Sequence, residues 1–385
     1  MAPSAVVGVE RDCDEFLVTL MPHQFRLLIL SRYGTLGASS RLRTQQYVPY
    51  LRAAGFNVET SILFSDTMLE RRYCMGRYRS LDLLGAYWRR ICVMLFAKNY
   101  DIVLIEKEAL PWLPACVEQF LLRHSRVALD FDDAQFHRYD DHYSWVIRAL
   151  FSKKIDRLIR QARVIISGNK YIAQHCMATG ARWVEIIPTV IDLDRYTAKR
   201  THSAPEVPVI VWIGTPWTVK LLAARRGALA ELAKRHAFKL RVIGSGQITM
   251  PGVPLEVLPW CAGTESAMIS HCDIGIMPLS DAPWERGKCA YKLIQYMASG
   301  LPVVASPVGA NCDVVIDGEN GFFATSDAEW VDQLARLLSD AELRQRFGQA
   351  GRLRVERYYC LQKTASMLAN IMTKCASEPA RVIKK

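Results

Sequence analysis

Short apolar runs alternate along the chain with stretches whose apolar residues recur at helical spacing. Continuous apolar runs predict strands that are buried on both faces, and intervening helices favour parallel sheets. In the first half the predicted strands are Phe25–Leu30, Phe56–Leu63, Ile102–Ile105, Val127–Phe131, Val164–Ile166 and Val184–Ile187. The predicted helices there are Leu42–Leu51, Leu83–Phe96, Leu113–Leu122 and Trp145–Leu158.

The segment from Asp192 to Pro208 interrupts this alternation, and its proline, serine and basic residues predict a linker. The alternation then resumes. Strands are predicted at Val209–Ile213, Leu240–Ile243, Leu255–Leu258, Ile274–Met277 and Val303–Ala305. Helices are predicted at Lys220–Arg235, Glu265–His271, Ala290–Ala298, Ala328–Leu338 and Gly351–Met372.

These elements predict an α/β fold with two doubly wound parallel sheets. The predicted parts are a loosely attached leader (residues 1–22), a first domain (23–195), a second domain (196–350) and a C-terminal helical segment (351–385). Open α/β sheets bind ligands outside the carboxyl ends of their strands. We therefore expect the functional site in a cleft between the two domains.

Composition narrows the class of protein. The chain has 385 residues, of which 50% are hydrophobic and 23% charged, which favours folded cores over disorder. Its 11 cysteines form no C-x-x-C pair, which indicates a reducing compartment rather than a disulfide framework or a zinc ribbon. No apolar run is long enough to span a membrane, and the acidic N-terminus is not typical of a signal peptide. The net charge of +11 suits anionic partners.

Three aspartates, Asp130, Asp132 and Asp133, lie at the carboxyl end of a predicted strand. Carboxylates this close repel one another, which can raise the pKa of one toward the range of a general base. The same group also suits a divalent cation, or a polar strand end that caps the next helix. We favour the base and predict no metal ion, because no second acidic or histidine cluster accompanies the aspartates.

Two glycine-bearing turns each follow a predicted strand and precede a helix. The first contains Gly34 and Gly37, which let a ligand approach the backbone closely; an ordinary turn with solvated arginines is the alternative. The second contains Gly214 and, six residues later, Lys220. An ammonium group at that place suits a phosphate, whereas a solvated surface lysine is the alternative.

The stretch from Asp281 to Ser306 has the most specific pattern. Lys288, Lys292 and Gln295 are spaced to share one face of a predicted helix. Arg286 adds a further positive charge near the start of that helix, where the backbone dipole is also positive. This arrangement suits a diphosphate.

At these motifs the chain resembles the retaining glycosyltransferases of family four, the group 1 transferases with the GT-B fold. The likeness spans Phe25 to Met372. Its strongest parts are KLIQYMASGLPVV from Lys292 and DGENGFF from Asp317. The supporting parts are GASSRLR from Gly37, IIPTVID from Ile186 and the spacing of Gly214 and Lys220.

The resemblance implies a metal-independent enzyme without a cofactor, which moves a sugar from a nucleoside-diphosphate sugar to a hydroxyl group with retention. The acceptor would be a glycan, lipid-linked or envelope molecule, and closure of the domains would exclude water. The C-terminal helix at 351–385 would cross back toward the first domain. The residues implied in catalysis are Asp132, Asp133, Lys220 and Lys292. Those implied in donor binding are Gly37, Gly214, Thr215, Trp260, Cys261, Glu285, Arg286, Lys288, Leu293 and Gln295, with core packing as the alternative for Trp260. Arg41 and His137 are assigned to the acceptor side.

Several positions depart from the family pattern. Gly287 and Gln295 stand where the family has two glutamates, and Thr215 stands where it has an arginine. No histidine occupies the place of the family's first-domain catalytic histidine. Two alternative functions therefore stay open: a non-catalytic nucleotide-sugar-binding subunit of a glycan assembly complex, and a nucleotide-sugar epimerase.

Arginines alternate with aromatic residues between Arg71 and Arg90. This mixture suits the headgroup layer of an anionic membrane, single-stranded nucleic acid or a solvated helix face. For a transferase with a lipid-linked or envelope acceptor we favour the membrane and expect no nucleic acid. The predicted contacts are Arg71, Arg72, Arg77 and Arg79, on a cytoplasmic protein that is peripheral at the inner face of the cell membrane.

Overall fold

The computed structural model describes residues 25–198 and 207–377. Within those ranges the chain forms two parallel sheets of six strands each, with helices packed against them. The predicted α/β class with two doubly wound sheets is therefore confirmed. The predicted leader and the middle of the predicted linker, residues 199–206, lie outside the described residues.

All six strands predicted in the first half are present in the first sheet, where their order is β2-β1-β3-β4-β5-β6. The chain reverses its direction of winding between β1 and β3, which places a crevice at their carboxyl ends. The strands are β1 (Arg26–Tyr33), β2 (Asn57–Phe64), β3 (Ile102–Glu106), β4 (Val127–Phe131), β5 (Val164–Ser167) and β6 (Val184–Ile186).

The second sheet has the order β12-β11-β10-β7-β8-β9, with its own reversal between β7 and β10. Five of these strands were predicted; the sixth is the three-residue strand that follows the turn at Asp317. The strands are β7 (Val209–Ile213), β8 (Lys239–Ile243), β9 (Leu255–Leu258), β10 (Ile274–Met277), β11 (Val303–Ala305) and β12 (Gly321–Phe323).

Two of the helices predicted between the first-sheet strands are divided in the structure. The predicted helix Leu42–Leu51 is wrong as one element: it is two helices separated by a 3-10 turn at Gln45–Tyr47, because Pro49 lacks the N–H that a continuous helix needs. The predicted helix Trp145–Leu158 is also two helices. The helices are α1 (Ala38–Arg43), α2 (Val48–Ala53), α3 (Asp66–Met75), α4 (Ser80–Leu95), α5 (Ala115–Leu121), α6 (His137–Asp140), α7 (Trp145–Phe151), α8 (Lys154–Gln161) and α9 (Lys170–Thr179).

In the second half the predicted helix Lys220–Arg235 is interrupted at Ala224 and Arg225. A capping box formed by Ser326 and Glu329 fixes the start of the helix that begins at Asp327. The helices are α10 (Val219–Ala223), α11 (Arg226–Arg235), α12 (Glu265–Ser270), α13 (Pro283–Arg286), α14 (Tyr291–Ala298), α15 (Asn311–Val314), α16 (Asp327–Ser339), α17 (Ala341–Tyr358) and α18 (Leu361–Ser377).

The prediction of one helix over Gly351–Met372 is wrong, because the backbone leaves the helical path between α17 and α18. The N–H of Ile191 donates to the carbonyl of Tyr359, and the N–H of Leu361 donates to the carbonyl of Ile191. Helix α18 then packs on the first sheet, where Leu368 and Met372 join the same buried cluster as Leu27. The last helix is therefore part of the core of the first domain.

Candidate active site

The three aspartates at the carboxyl end of β4 have different surroundings. Asp130 is buried, and the Arg43 guanidinium donates to both of its carboxylate oxygens, at 3.0 Å and 2.5 Å. Arg43 also donates to the carbonyl of Ile187 at 2.8 Å. Asp130 therefore ties α1 to the sheet, while Asp132 and Asp133, which are half-buried, lie beyond the end of the strand.

Sequence reasoning missed Lys107, which lies between the two remaining aspartates. Its Nζ atom is 2.9 Å from Oδ1 of Asp132 and 3.6 Å from Oδ2 of Asp133. The side chain is buried, and the backbone is left-handed at φ 64°, which is unusual for a residue other than glycine. The sequence signal was a charged triplet, Glu106 to Glu108, directly after an apolar strand at the reversal of the sheet.

The two aspartates differ in acidity. Burial opposes ionisation of Asp132, but the charge of Lys107 and a hydrogen bond from the Ser39 hydroxyl hold its pKa below the ordinary value. Burial, followed by the negative charge of Asp132, raises the pKa of Asp133. Because environments that separate two pKa values assign acid and base roles, Asp133 is the better proton acceptor of the pair.

A loop of the second domain contacts this edge of the first sheet. The Asn169 amide donates to the carbonyl of Gly287 at 2.8 Å, and the Cys289 thiol donates to the carbonyl of Asp132 at 2.9 Å. A Cβ atom on Gly287 would lie 2.4 Å from the Cβ of Ala134. Only glycine therefore fits at this position, where the family pattern has a glutamate.

The prediction that Lys288, Lys292 and Gln295 share a helix face is wrong. Lys288 precedes α14, and Ala290 between them has a left-handed backbone at φ 53°. Leu293 and Gln295 are buried, and the Gln295 amide donates to the Tyr196 hydroxyl at 2.8 Å. Their side chains therefore face the core in this structure.

Lys288 and Lys292 lie close to Asp133 across the cleft. Burial, and then the charge of Lys288, lowers the pKa of Lys292 to about 8, while Asp133 acts in the opposite direction. The charge of Lys288 in turn lowers the pKa of Asp133. The Nζ atom of Lys292 is 5.6 Å from the ring centroid of Trp212 in β7. Two lysines of the second domain thus face a carboxylate of the first.

The glycine turn after β7 packs on the ring of Trp212, which Lys292 also contacts. The N–H of Gly214 donates to the carbonyl of Ile243 at 3.0 Å, and a Cβ on Gly214 would lie 2.4 Å from the Trp212 ring. Thr215 is exposed, and Lys220 is exposed on α10. Gly214 and Lys292 therefore both lie against Trp212, and Lys220, in the helix that follows, is free of core packing.

Arg286 and Glu285, on α13, are placed differently from Lys288. The Arg286 guanidinium is exposed and pairs with Asp281 at 2.6 Å and 3.0 Å. Glu285 is half-buried. Arg286 is thus engaged with a neighbouring carboxylate.

Arg41 and Trp260 meet across the opposite part of the cleft. The Arg41 guanidinium lies 5.0 Å from the ring centroid of Trp260, whose Nε1 donates to Glu265 at 2.7 Å. The adjacent Cys261 is exposed. Gly37 begins α1, where a Cβ atom would clash with Tyr33.

The residues assigned to the acceptor or membrane side are also distributed. The His137 ring bonds Asp140 at 2.9 Å and the Tyr171 hydroxyl at 2.8 Å. Arg71 pairs with Asp82, and Arg72 donates to Tyr78. Their predicted companions Arg77 and Arg79 are exposed. Among residues 25–198 and 207–377 no three acidic, histidine or cysteine side chains form a group suited to a metal ion.

Comparison with known proteins finds glycosyltransferases among the proteins that are similar to this chain. Residues 207–340 match the family described as Glycosyl transferases group 1. Sulfoquinovosyl transferase SQD2 of Arabidopsis thaliana is 25% identical over 56% of this chain, and spore coat protein SA of Bacillus subtilis is 31% identical over 20%. These matches span 45% and 22% of the two relatives, so the chain covers less than half of either.

Solved structures resemble the whole two-domain arrangement. HepE of Anabaena, in complex with UDP and glucose, gives a TM-score of 0.66 at 17% identity, over 91% of this chain and 100% of that one. Sucrose-phosphate synthase of Thermosynechococcus elongatus also gives 0.66, at 14% identity, over 91% and 99%. The fold is GT-B. In a GT-B protein the two sheets face one another across a cleft. In this chain Asp133 belongs to the first-domain side of that cleft, and Lys288 and Lys292 belong to the second-domain side. No helix among the described residues is long and apolar enough to cross a membrane.

Proposed function

We propose that the protein is a glycosyltransferase that moves a sugar from a nucleoside-diphosphate sugar to a hydroxyl group of an acceptor. The observation that carries this proposal is that the loop of Gly287 and Cys289 packs on the end of the first sheet at Ala134 and Asp132, so that the charges of the adjoining Lys288 and Lys292 act on Asp133. The family match of residues 207–340 supports it, as does the UDP bound to HepE.

The lysines act on the leaving group. As the bond between the sugar and the diphosphate breaks, negative charge develops on the diphosphate oxygen. Preformed positive charge in a cleft stabilises that transition state more than it stabilises the bound donor. Lys288 and Lys292 supply this charge from the protein itself, so we propose that transfer requires no metal ion.

Asp133 acts on the acceptor. Its raised pKa suits a group that takes the proton of the acceptor hydroxyl as that oxygen bonds to the anomeric carbon. Lys288 and Lys292 hold the leaving diphosphate near Asp133, which favours attack from the side the diphosphate leaves. We therefore propose that the sugar keeps its anomeric configuration.

Domain contact limits water in the cleft. Gly287 lies against Ala134, the Cys289 thiol donates to the carbonyl of Asp132, and the Arg41 guanidinium lies over the ring of Trp260. Excluding water protects the donor from hydrolysis while the acceptor is in place. We propose a glycan, lipid-linked or envelope molecule as acceptor, presented at the inner face of the cell membrane.

The test uses isotope-labelled donors. A thermal-shift panel of UDP-, GDP-, ADP- and dTDP-sugars identifies a ligand, because a ligand that binds only the folded state raises its stability. The labelled form of that donor is then incubated with a lipid extract, with and without EDTA. We expect label in the extract in both cases, with the anomeric configuration retained.

Two other outcomes would contradict the proposal. Binding without transfer would indicate a non-catalytic subunit, and interconversion of the donor sugar without an acceptor would indicate an epimerase.

A substitution tests the role of the lysines. Lys292→Met is expected to lower turnover strongly, because the leaving diphosphate then lacks the positive charge of Lys292. Lys239→Met, at an exposed position of the same domain, is expected to leave turnover unchanged.

A further inference from the structure

Helix α7 is unusual because none of its residues is buried. Trp145 is 72% exposed and Leu150 is 67% exposed, and Tyr143, two residues before the helix, is 91% exposed. Ile147 and Phe151 pack partly buried against the core of the first domain. The large apolar residues on the rest of the helix surface are left in solvent, which indicates a partner outside the domain.

Helix α4 carries a second apolar surface of the same kind. Leu81, Leu84 and Trp88 are each about 70% exposed, and their spacing of three and four residues places them on one face. Ala86 and Arg90 lie on the opposite face and are buried. The outward stripe is therefore a property of a well-packed helix and not of a loosely attached one.

The two surfaces belong to the same end of the first domain. The Tyr87 hydroxyl, on α4, donates to the carbonyl of Pro111 at 2.6 Å. The next residue, Trp112, is partly exposed, and its ring lies 5.9 Å from the ring of His142, which is 4.3 Å from that of Tyr143. We name the outward stripe of α4, Trp112 and helix α7 together the apolar face.

Exposed arginines surround the apolar face. Arg77 and Arg79 precede α4, Arg89 follows Trp88, and Arg148 lies between the exposed residues of α7. A second copy of the chain on this face would bring like charges together, which is unfavourable. Anionic lipid instead offers phosphates to the arginines and an apolar layer to tryptophan and leucine.

We propose that the apolar face docks on an anionic lipid bilayer, with Trp88, Trp112 and Trp145 at the headgroup boundary. This binding is independent of sugar transfer and goes beyond it. The backbone N–H of Trp112 donates to the Tyr139 hydroxyl, which donates to Glu108, the neighbour of Lys107 in the chain. The apolar face is therefore joined through buried residues to the side of the first domain that holds Lys107.

The test is cosedimentation of the full chain with vesicles. One set is phosphatidylcholine alone, and the other contains about 30% phosphatidylglycerol, which supplies the negative surface potential. We expect binding to the anionic vesicles about tenfold or more above the neutral ones, weakened by added salt.

Two double variants separate the two helices: Leu84→Ser with Trp88→Ser, and Trp145→Ser with Leu150→Ser. Each is expected to lower vesicle binding by about tenfold or more, because each removes two large apolar side chains from the boundary. The matched control is Trp217→Ser with Leu353→Ser, which are 69% and 65% exposed in the second domain. The control is expected to bind like the wild type.

Three results would overturn the proposal: no preference for anionic vesicles, an equal loss in the control variant, or a protein dimer that the α4 variant dissociates in the absence of lipid. Binding of single-stranded oligonucleotide in place of vesicles would overturn it as well. Nucleotide binding by calorimetry keeps the two proposals apart, since the docking variants are expected to bind the donor nucleotide like the wild type. If the wild-type protein binds no donor nucleotide, the proposed transferase activity is contradicted instead.

Discussion

The Nζ atom of Lys107 lies 2.9 Å from Oδ1 of Asp132, although the two residues are 25 positions apart in the chain. The parallel register of β3 and β4 pairs Glu106 with Asp130, and this brings the residues beyond each strand together. The contact compensates the charge of Asp132 and leaves Asp133 as the more basic carboxylate beside the second domain.

Replacing Lys107 by Met is expected to shift the acid limb of the pH–rate profile for sugar transfer to higher pH. The ammonium group lowers the pKa of Asp133, so its removal lets Asp133 protonate at a higher pH and lose its role as a base. Lys107→Arg is expected to keep the limb in place. Rates from pH 5 to pH 9 check this, with Lys98→Met, an exposed first-domain lysine, as the control. An unchanged acid limb in Lys107→Met would show that Asp133 is not the titrating base.

Donor affinity is expected to fall as the pH rises above about 8. Lys292 has a pKa of about 8 in the free protein, so it loses its positive charge there, and a diphosphate prefers the charged form. Calorimetry of nucleoside diphosphate between pH 6 and pH 10 measures the change, with a slope of up to about tenfold per pH unit for one linked proton. Lys292→Met is expected to flatten the dependence, and Lys239→Met to preserve it. An equally steep curve in Lys292→Met would assign the proton to another group.

The change Gly287→Ala is expected to lower kcat about tenfold or more, since overpacking of this size costs about 1–3 kcal/mol. The new Cβ would lie 2.4 Å from the Cβ of Ala134 and 2.6 Å from its backbone nitrogen, which forces the domains apart. Nucleotide affinity of the second domain is expected to stay within about twofold of the wild type. The control is Gly263→Ala, where a Cβ atom meets nothing within 4 Å. Full turnover in Gly287→Ala would mean that this contact does not belong to the active arrangement.

Removing Arg43 is expected to destabilise the first domain by about 3 kcal/mol, the usual cost of leaving one buried partner unpaired. Arg43 donates twice to Asp130 and also to the carbonyl of Ile187. Arg43→Met with Asp130→Leu is expected to lose less than Arg43→Met alone, because the uncompensated carboxylate is gone. Denaturant midpoints measure both, with the exposed Arg157→Met as the control. Equal denaturant midpoints for Arg43→Met and the wild type would show that the Arg43–Asp130 pair does not stabilise the first domain.

The strands were predictable because each is a continuous apolar run, and a strand buried on both faces needs no other signal. The active-site loop was less predictable. Spacing alone placed Lys288 and Gln295 on one helix face, but the left-handed backbone at Ala290 starts the helix later and turns Gln295 into the core. The sequence does not predict this conformation, because alanine rarely adopts a left-handed backbone.

Long-range contacts explain the other differences. Lys107 acquires its role from the register of two strands, and the break between α17 and α18 comes from hydrogen bonds to Ile191, more than 160 residues away. Likewise, the exposure of α4 and α7 depends on what the rest of the domain leaves uncovered. Local periodicity carries none of this information, whereas the family motifs locate the cleft without giving the geometry inside it.

The pairing of Ile191 with the segment Tyr359–Leu361 joins the two places where the chain crosses between the domains. The polypeptide leaves the first domain after Ile191 and returns to it after Tyr358, and the two crossings run side by side and are hydrogen-bonded to each other. Any rotation of one domain against the other would therefore have to bend both crossings together at this one place.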